Sequence, residues 1–143
     1  MEHQSSATST WQGGGLADGS GTTTLGTGIG GEFAMSWKAR TEGAGGHSSP
    51  EELLAGAHAS CFNMALSKQL AEAGHPPQKL ETRAITTFVV GKGVTSSRLT
   101  VRAAAPGLND ETLQKAASAA GEGCPISQAL KGNVEISVDA SLA

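Results

Sequence analysis

Aromatic residues are scarce in this sequence: they make up 3 % of its 143 residues, and tyrosine is absent. Proteins that bind single-stranded nucleic acid stack the bases on aromatic side chains, so that class of protein is disfavoured. The basic residues form no block, and the formal net charge is −3. The chain therefore lacks the positive surface with which proteins bind nucleic acids or anionic membranes, and we expect neither as a partner.

Long apolar runs are also missing. No stretch has the length and apolar character needed to cross a bilayer, and the opening residues MEHQSSATST lack the charged segment and apolar run of a secretory leader. We therefore expect a cytoplasmic protein, in which thiols are kept reduced. Its two cysteines are then expected to be catalytic or inert, and not to form a structural disulfide. A chain of this length can bury a core without disulfides or metal. We predict a single domain over residues 1–143, with residues 1–10 as a candidate flexible arm.

The clearest element is a helix that lies between Ser49 and Gly74. Ser49 is a good N-cap, Pro50 suits the first helical position, and Glu52 completes a capping box. Gly74 fits the left-handed residue that follows a helix. A glycine-containing loop, Gly43–Ser48, precedes the cap.

This helix is apolar on nearly every side, which predicts that it is buried. Its polar residues between positions 53 and 66 are only His58, Ser60 and Asn63. Cys61 lies in the middle, where a thiol usually serves as packing. A buried helix in so small a chain also suggests that a second molecule covers it, which favours a homodimer.

The remaining elements predict an α+β fold with a largely antiparallel sheet. Period-two patterns and turn residues give short strands before the helix, and a hairpin, two helices and a strand after it. The predicted strands before the helix are the neighbourhood of Trp11, Gly21–Leu25 and Glu32–Arg40. The elements after it are the strands Lys79–Val90 and Val94–Ala105, a helix from Asn109 to near Gly121, a short helix from Cys124 through Leu130, and the strand Val134–Val138.

The two cysteines are the main candidates for chemistry. Cys61 and Cys124 are separated by 62 intervening residues, so they form no CxxC redox motif. A zinc site is disfavoured, because His58 and Cys61 have no second ligand pair near Cys124. Cys124 precedes Pro125 at the start of a helix, where a thiolate would be stabilised; the alternative is a small residue that simply fits the turn.

Charged neighbours could activate the buried thiol. Arg40 is predicted to end the third strand, close enough to Cys61 to lower its pKa, although a solvated strand end is the more ordinary position for an arginine. Glu51 is free of the capping box and is either a dipole-stabilising acid or a site residue. Ten residues of straight helix separate Glu51 from Cys61 by about 15 Å, so a shared site requires a second subunit or bridging elements. His58 either lines the same pocket or is a hydrogen-bonded core histidine.

The stretch SSPEELLAGAHASCFNMALS, followed much later by GCPISQAL, resembles the OsmC/Ohr family of peroxiredoxin-like proteins, and its OsmC branch in particular. The similarity extends from Trp11 to the final strand. It implies the OsmC-like fold: largely antiparallel sheets around a long buried central helix, in an intertwined homodimer with two active sites at the subunit interface.

The same resemblance implies a thiol peroxidase that reduces organic hydroperoxides, and hydrogen peroxide less well. Cys61 would attack the peroxide, Cys124 would resolve it as a disulfide, and Arg40 and Glu51 would complete the site. The Ohr branch carries its arginine nearer the N-terminus, where this chain reads WQGGGLADG, so Arg40 is the better match. No cofactor is implied beyond an external dithiol, with lipoyl groups as one candidate. The alternative is a non-catalytic member that senses redox state or binds a small molecule.

Overall fold

A computed structural model describes residues 1–43 and 45–143 as two compact units, Met1–Leu53 and Leu54–Ala143. Both units combine helix and strand, and the α+β class is therefore confirmed. Within the described residues, no helix combines the length and apolar character that a membrane span requires. The loop predicted over Gly43–Ser48 contains Ala44, which lies outside the described residues.

The first unit contains a three-stranded antiparallel sheet in the order β1-β2-β3. Its strands are β1 (Ala7–Gln12), β2 (Ser20–Leu25) and β3 (Glu32–Met35). Trp11 pairs with Gly21 across β1 and β2, and a Cβ at Gly21 would come within 2.8 Å of the indole ring. The strands predicted around Trp11 and over Gly21–Leu25 are confirmed, and residues 7–10 of the candidate arm lie in β1.

The strand predicted over Glu32–Arg40 is wrong beyond Met35. Ser36 ends the strand and caps a short helix, α1 (Trp37–Glu42), by accepting a hydrogen bond from the Ala39 amide at 3.1 Å. The alternation of Phe33, Met35 and Trp37 predicted one continuous strand. It could not show that the strand ends at Ser36, because a serine is equally acceptable on the polar face of a strand and at a helix N-cap. Arg40 therefore lies on α1 and not at a strand end.

The long helix α2 (Pro50–Glu72) begins and ends as the sequence predicts. The Ser49 hydroxyl accepts from the Glu52 amide at 3.1 Å, and Gly74 adopts a φ of 86°. The Glu52 carboxylate accepts from the Ser48 hydroxyl at 2.6 Å, whereas a capping box would direct it to the Ser49 amide. The helix start is thus fixed by two serines.

Only one face of α2 is buried within the chain. The fully buried side chains follow one another at intervals of four residues and are His58, Phe62, Leu66 and Leu70. Ala57, Ser60 and Met64 are exposed, and Met64 retains 74 % of its accessible surface. The single chain therefore covers one face of α2, and burial on the other face would require the second molecule that the sequence suggests.

The second unit contains the mixed sheet β4-β5-β6. The hairpin of β4 (Lys79–Val89) and β5 (Gly93–Ala104) is antiparallel, as predicted. The last strand, β6 (Glu135–Leu142), pairs with β5 in parallel, because two helices between them return the chain to the same end of the sheet. Among the named strands of the described residues, the other three pairs are antiparallel.

The helices of the second unit complete its core. Asn109 caps α3 (Asp110–Gly123) by accepting from the Thr112 amide at 2.9 Å, and α3 ends two residues later than predicted. The short helix α4 (Pro125–Leu130) follows directly. Buried side chains of α3 and of alternate positions in β5 pack with the buried face of α2. Those of α3 and β5 are Leu99, Val101, Ala103, Leu113, Ala116, Ala117 and Ala120.

Candidate active site

Arg40 and Glu51 form a two-pronged ion pair in the first unit. Arg40 Nε donates to Glu51 Oε1 at 3.0 Å and to Oε2 at 3.2 Å, and Arg40 Nη2 donates to Oε1 at 2.8 Å. Glu51 is only 7 % exposed and lies in the first turn of α2, where the helix dipole stabilises a carboxylate. The Arg40 side chain is 31 % exposed. Paired hydrogen bonds of this kind fix the plane of the guanidinium as well as its position.

An apolar cavity of about 330 Å³ adjoins this pair within the first unit. The Arg40 guanidinium lies over the Trp37 ring, 5.9 Å from its centroid. The other large apolar side chains that line the cavity are Trp11, Leu16, Met35, Pro50 and Leu53. The cavity thus combines one fixed cation with an apolar wall, at the lower end of the size range of small-molecule sites.

Cys61 and Cys124 come together in the second unit, although α2 carries one and the junction of α3 and α4 carries the other. Both are free thiols; Cys61 is partly exposed and Cys124 is buried. Cys124 is the N-cap of α4, as predicted, and its Sγ accepts from the Ser127 amide at 3.5 Å. The two thiols lie within hydrogen-bonding reach of each other.

The surroundings of the two sulfurs shift their pKa values in opposite directions. Burial raises the pKa of the Cys61 thiol, and the hydrogen bond with Cys124 raises it further. Burial also acts to raise the pKa of Cys124. The net effect is nevertheless a lowered pKa, because hydrogen bonds outweigh burial; they come from Cys61, from the Ser127 amide and hydroxyl, and from the Ile126 backbone. These directions make Cys124 the better place for negative charge in the reduced pair.

His58 is a hydrogen-bonded core histidine, the second of the two interpretations that the sequence left open. Its Nδ1 lies 2.7 Å from Ser97 Oγ on β5, and its Nε2 lies 2.8 Å from Ser127 Oγ on α4. All three side chains are buried. Burial lowers the pKa of His58, so the ring is neutral and carries one N–H.

Sequence reasoning did not select Ser97 or Ser127. One signal for Ser97 was available, because the period-two pattern of β5 places it on the same inward face as Leu99 and Val101. A serine on an apolar face requires a buried partner. No comparable signal identifies Ser127, whose partner His58 lies 69 residues away in sequence.

The predicted site residues thus form two pairs: Arg40 with Glu51 in the first unit, and Cys61 with Cys124 in the second. The sequence analysis placed Arg40 and Glu51 in one site, and the structure joins them in an ion pair; their catalytic role stays a prediction. Across residues 1–43 and 45–143, no group of three or more histidine, cysteine or acidic side chains is arranged to hold a metal ion.

Known proteins resemble this chain over most of its length. Peroxiredoxin OsmC of Escherichia coli (strain K12) is 36 % identical over 129 residues, which cover 88 % of this chain and 89 % of that protein. The organic hydroperoxide resistance protein OhrB of Bacillus subtilis has 26 % identity and a TM-score of 0.72, with 97 % of this chain and 98 % of that chain covered. An organic hydroperoxide resistance protein of Elizabethkingia anophelis shares the fold, with 24 % identity, a TM-score of 0.77, and 100 % and 99 % coverage.

A family model described as OsmC-like protein matches residues 43–139. This segment contains Glu51 and both cysteines, and Arg40 lies three residues before it. The resemblance and the α+β fold expected for the single chain are therefore confirmed, the homodimer stays a prediction, and the chain belongs to the OsmC-like family.

Proposed function

We propose that this protein is a cysteine-based peroxidase that reduces organic hydroperoxides to alcohols, and hydrogen peroxide less efficiently. The observation that carries the proposal is the contact between Cys61 and Cys124, two free thiols from distant parts of the chain. Two such thiols can supply the two electrons that a peroxide takes up. The names of the relatives, a peroxiredoxin and organic hydroperoxide resistance proteins, support the same activity.

In the proposed reaction, the Cys61 thiolate attacks the distal oxygen of the hydroperoxide. The O–O bond breaks, the sulfur becomes a sulfenic acid, and the alkoxide takes up a proton and leaves as the alcohol. Cys124 then attacks the sulfenic sulfur, so that an S–S bond forms and hydroxide leaves as water. An external dithiol, with lipoyl groups as our candidate, reduces the disulfide in the cytoplasm.

Exposure supports the assignment of Cys61 as the attacking thiol. Cys61 is partly exposed, whereas Cys124 is fully buried. A peroxide arriving from solvent can reach Cys61 first, and Cys124 needs to reach only its neighbour. This order also agrees with the hydrogen bonds that lower the pKa of Cys124, because the second step requires Cys124 as a nucleophile.

The first step requires a positive charge, because burial and the bond with Cys124 raise the pKa of Cys61. We assign this role to Arg40, whose guanidinium is held by Glu51 at 2.8 Å. A guanidinium beside a thiol stabilises the thiolate and can also orient the peroxide oxygens. Glu51 would act through Arg40 and not on the substrate.

The apolar cavity beside Arg40 supports an organic substrate. An alkyl or aryl group that enters it gains about 0.8 kcal/mol per buried CH₂, and hydrogen peroxide gains nothing of this kind. A cavity of about 330 Å³ suits a hydroperoxide with a small branched or aromatic group.

A homodimer is part of the same proposal. The outer face of α2 presents Ala57 and Met64 to solvent, and an exposed apolar face on a central helix fits a second copy of the same helix. Packing of the two α2 helices against each other would bury both of them, as the resemblance implies for the central helices of the dimer.

The competing function is a redox sensor or small-molecule binder that does not turn over. One observation favours it: the raised pKa of Cys61 makes this thiol a weak nucleophile unless a cation compensates. The reactivity of Cys61 in the reduced protein therefore separates the two functions.

Substitution of each cysteine tests the order of the reaction. With cumene hydroperoxide and a dithiol, we expect Cys61→Ser to lose peroxidase activity. Cys124→Ser should complete one turnover and then hold an over-oxidised Cys61, visible by mass spectrometry. In the native chain, peroxide should convert two free thiols to none without a covalent dimer. Full activity in Cys61→Ser would disprove the mechanism.

The role of the cavity is tested by Trp11→Ala, which removes much of its apolar wall. We expect kcat/KM for cumene hydroperoxide to fall about tenfold, which corresponds to ~1.4 kcal/mol of lost contact, with little change for hydrogen peroxide. Ile29→Ala is the matched control, because Ile29 is 71 % exposed and does not line the cavity. An equal loss with both peroxides would contradict substrate binding there.

Alkylation of reduced Cys61 by iodoacetamide tests the role of Arg40. We expect Arg40→Gln to slow the reaction at neutral pH by about tenfold or more, since one pKa unit changes the thiolate fraction tenfold. Lys38→Gln is the control, because Lys38 is an exposed cation on the same helix. If Cys61 reacts slowly in the native chain and Arg40→Gln changes nothing, the thiol is not activated and the non-catalytic function is favoured.

Sedimentation tests the dimer. We expect the native chain to sediment as a dimer and Met64→Arg as a folded monomer, because a buried unpaired cation is costly at an interface. Val90→Arg, an equally drastic change at an exposed residue of the β4–β5 turn, should remain dimeric. A native chain that is monomeric at micromolar concentration would rule the dimer out.

A further inference from the structure

One buried polar group has no part in the proposed reaction, namely His58. It connects three elements of the second unit: α2, which carries it, β5 through Ser97, and α4 through Ser127. Ser127 in turn contacts the Cys124 sulfur with both its amide and its hydroxyl. A continuous chain of hydrogen bonds therefore runs from Ser97 through His58 and Ser127 to Cys124.

One arrangement of protons lets each side chain of this series donate towards the Cys124 sulfur. A serine hydroxyl has one proton to donate, and in this arrangement Ser127 directs it to Cys124, where it lowers the pKa of the thiol. Ser127 Oγ then accepts from His58, with the ring N–H on Nε2. Nδ1 is left as an acceptor, and the Ser97 hydroxyl donates to it. In this arrangement Ser97, His58 and Ser127 each donate in the direction of the Cys124 sulfur.

We propose that His58 is a positioning residue which, through Ser127, holds the Cys124 sulfur ready for its attack on Cys61. This role rests on the proposed peroxidase function. In that step the Cys124 sulfur forms the S–S bond, the S–O bond of the Cys61 sulfenic acid breaks, and hydroxide leaves as water. His58 exchanges no proton with the reactants; it fixes the orientation of the Ser127 hydroxyl.

Local structure explains why the hydroxyl needs this help. Ser127 lies in the first turn of α4, a helix of only six residues, and a serine hydroxyl can rotate about its χ1 bond towards backbone carbonyls or water. The bond from His58 Nε2 at 2.8 Å occupies an acceptor site of the oxygen and so favours the rotamer that faces Cys124. The bond from Ser97 at 2.7 Å fixes the ring in turn.

The test measures the ionisation of Cys124 directly in the reduced protein. With ¹³Cβ-labelled cysteine the chain gives two thiol signals, which a Cys61→Ser variant assigns. We expect Ser127→Ala and His58→Gln to move the Cys124 titration to higher pH. We also expect both to slow disulfide formation after one equivalent of peroxide by on the order of tenfold, since hydrogen bonds to ionised groups are the stronger ones. ¹⁵N signals of His58 should report the Nε2–H tautomer.

The control is Leu70→Val, which removes one methylene from the same buried face of α2. It should lower stability and leave both the titration and the disulfide rate unchanged. If Leu70→Val moves the titration as far as Ser127→Ala does, or if His58→Gln leaves it unmoved, the positioning role is wrong. Should His58→Gln fail to fold, the ¹⁵N signals of His58 decide, because an Nδ1–H tautomer would contradict the arrangement.

The titration needs no peroxide, and it therefore separates this role from the peroxidase proposal. A native chain that forms no disulfide with peroxide would overturn the proposed function, and the positioning role in that reaction with it. A native chain that forms the disulfide, with a Cys124 titration that is insensitive to Ser127→Ala, would overturn the positioning role alone.

Discussion

The chemistry of this protein depends on one electrostatic constraint: a thiol buried among apolar side chains ionises only where donors or cations compensate its charge. The chain contains two thiols in contact, and the proposed mechanism gives each of them a group that compensates its charge. The Cys124 sulfur has the first turn of α4 and the Ser127 hydroxyl. Arg40, held by Glu51, is a fixed cation beside an apolar cavity. The proposed mechanism assigns one of these groups to each step.

Helix α2 determines where these groups lie, because their spacing along it decides which neighbour each one meets. Glu51 in the first turn contacts Arg40. His58, two turns later, points inward to β5 and α4, and Cys61 lies three residues further on, beside Cys124. The buried Phe62, Leu66 and Leu70 anchor the rest of the helix. A rotation of α2 about its axis would disturb every one of these contacts.

The sequence predicted best what depends on near neighbours. The ends of α2 and the N-caps Asn109 and Cys124 were correct, because caps and their partners lie within three residues of each other. Helix α1 was missed, because Ser36 fits a strand and a cap equally well. Apolar residues on both faces of α2 predicted burial but could not tell which face the chain itself covers. Ser97 and Ser127 meet His58 across 39 and 69 residues, and local patterns carry no information about such contacts.

The opposite pKa shifts of the two cysteines are consistent with a reaction in two steps. In the proposed mechanism Cys61 needs a cation while both thiols are reduced, because burial and the contact with Cys124 raise its pKa. After Cys61 has become a sulfenic acid in this mechanism, its sulfur carries no negative charge for the cation to stabilise. The hydrogen-bond donors in the first turn of α4 then stabilise the Cys124 thiolate. The proposed mechanism therefore uses Arg40 for the first thiolate and the donors at the start of α4 for the second, because a negative charge on one sulfur of a contacting pair raises the pKa of the other.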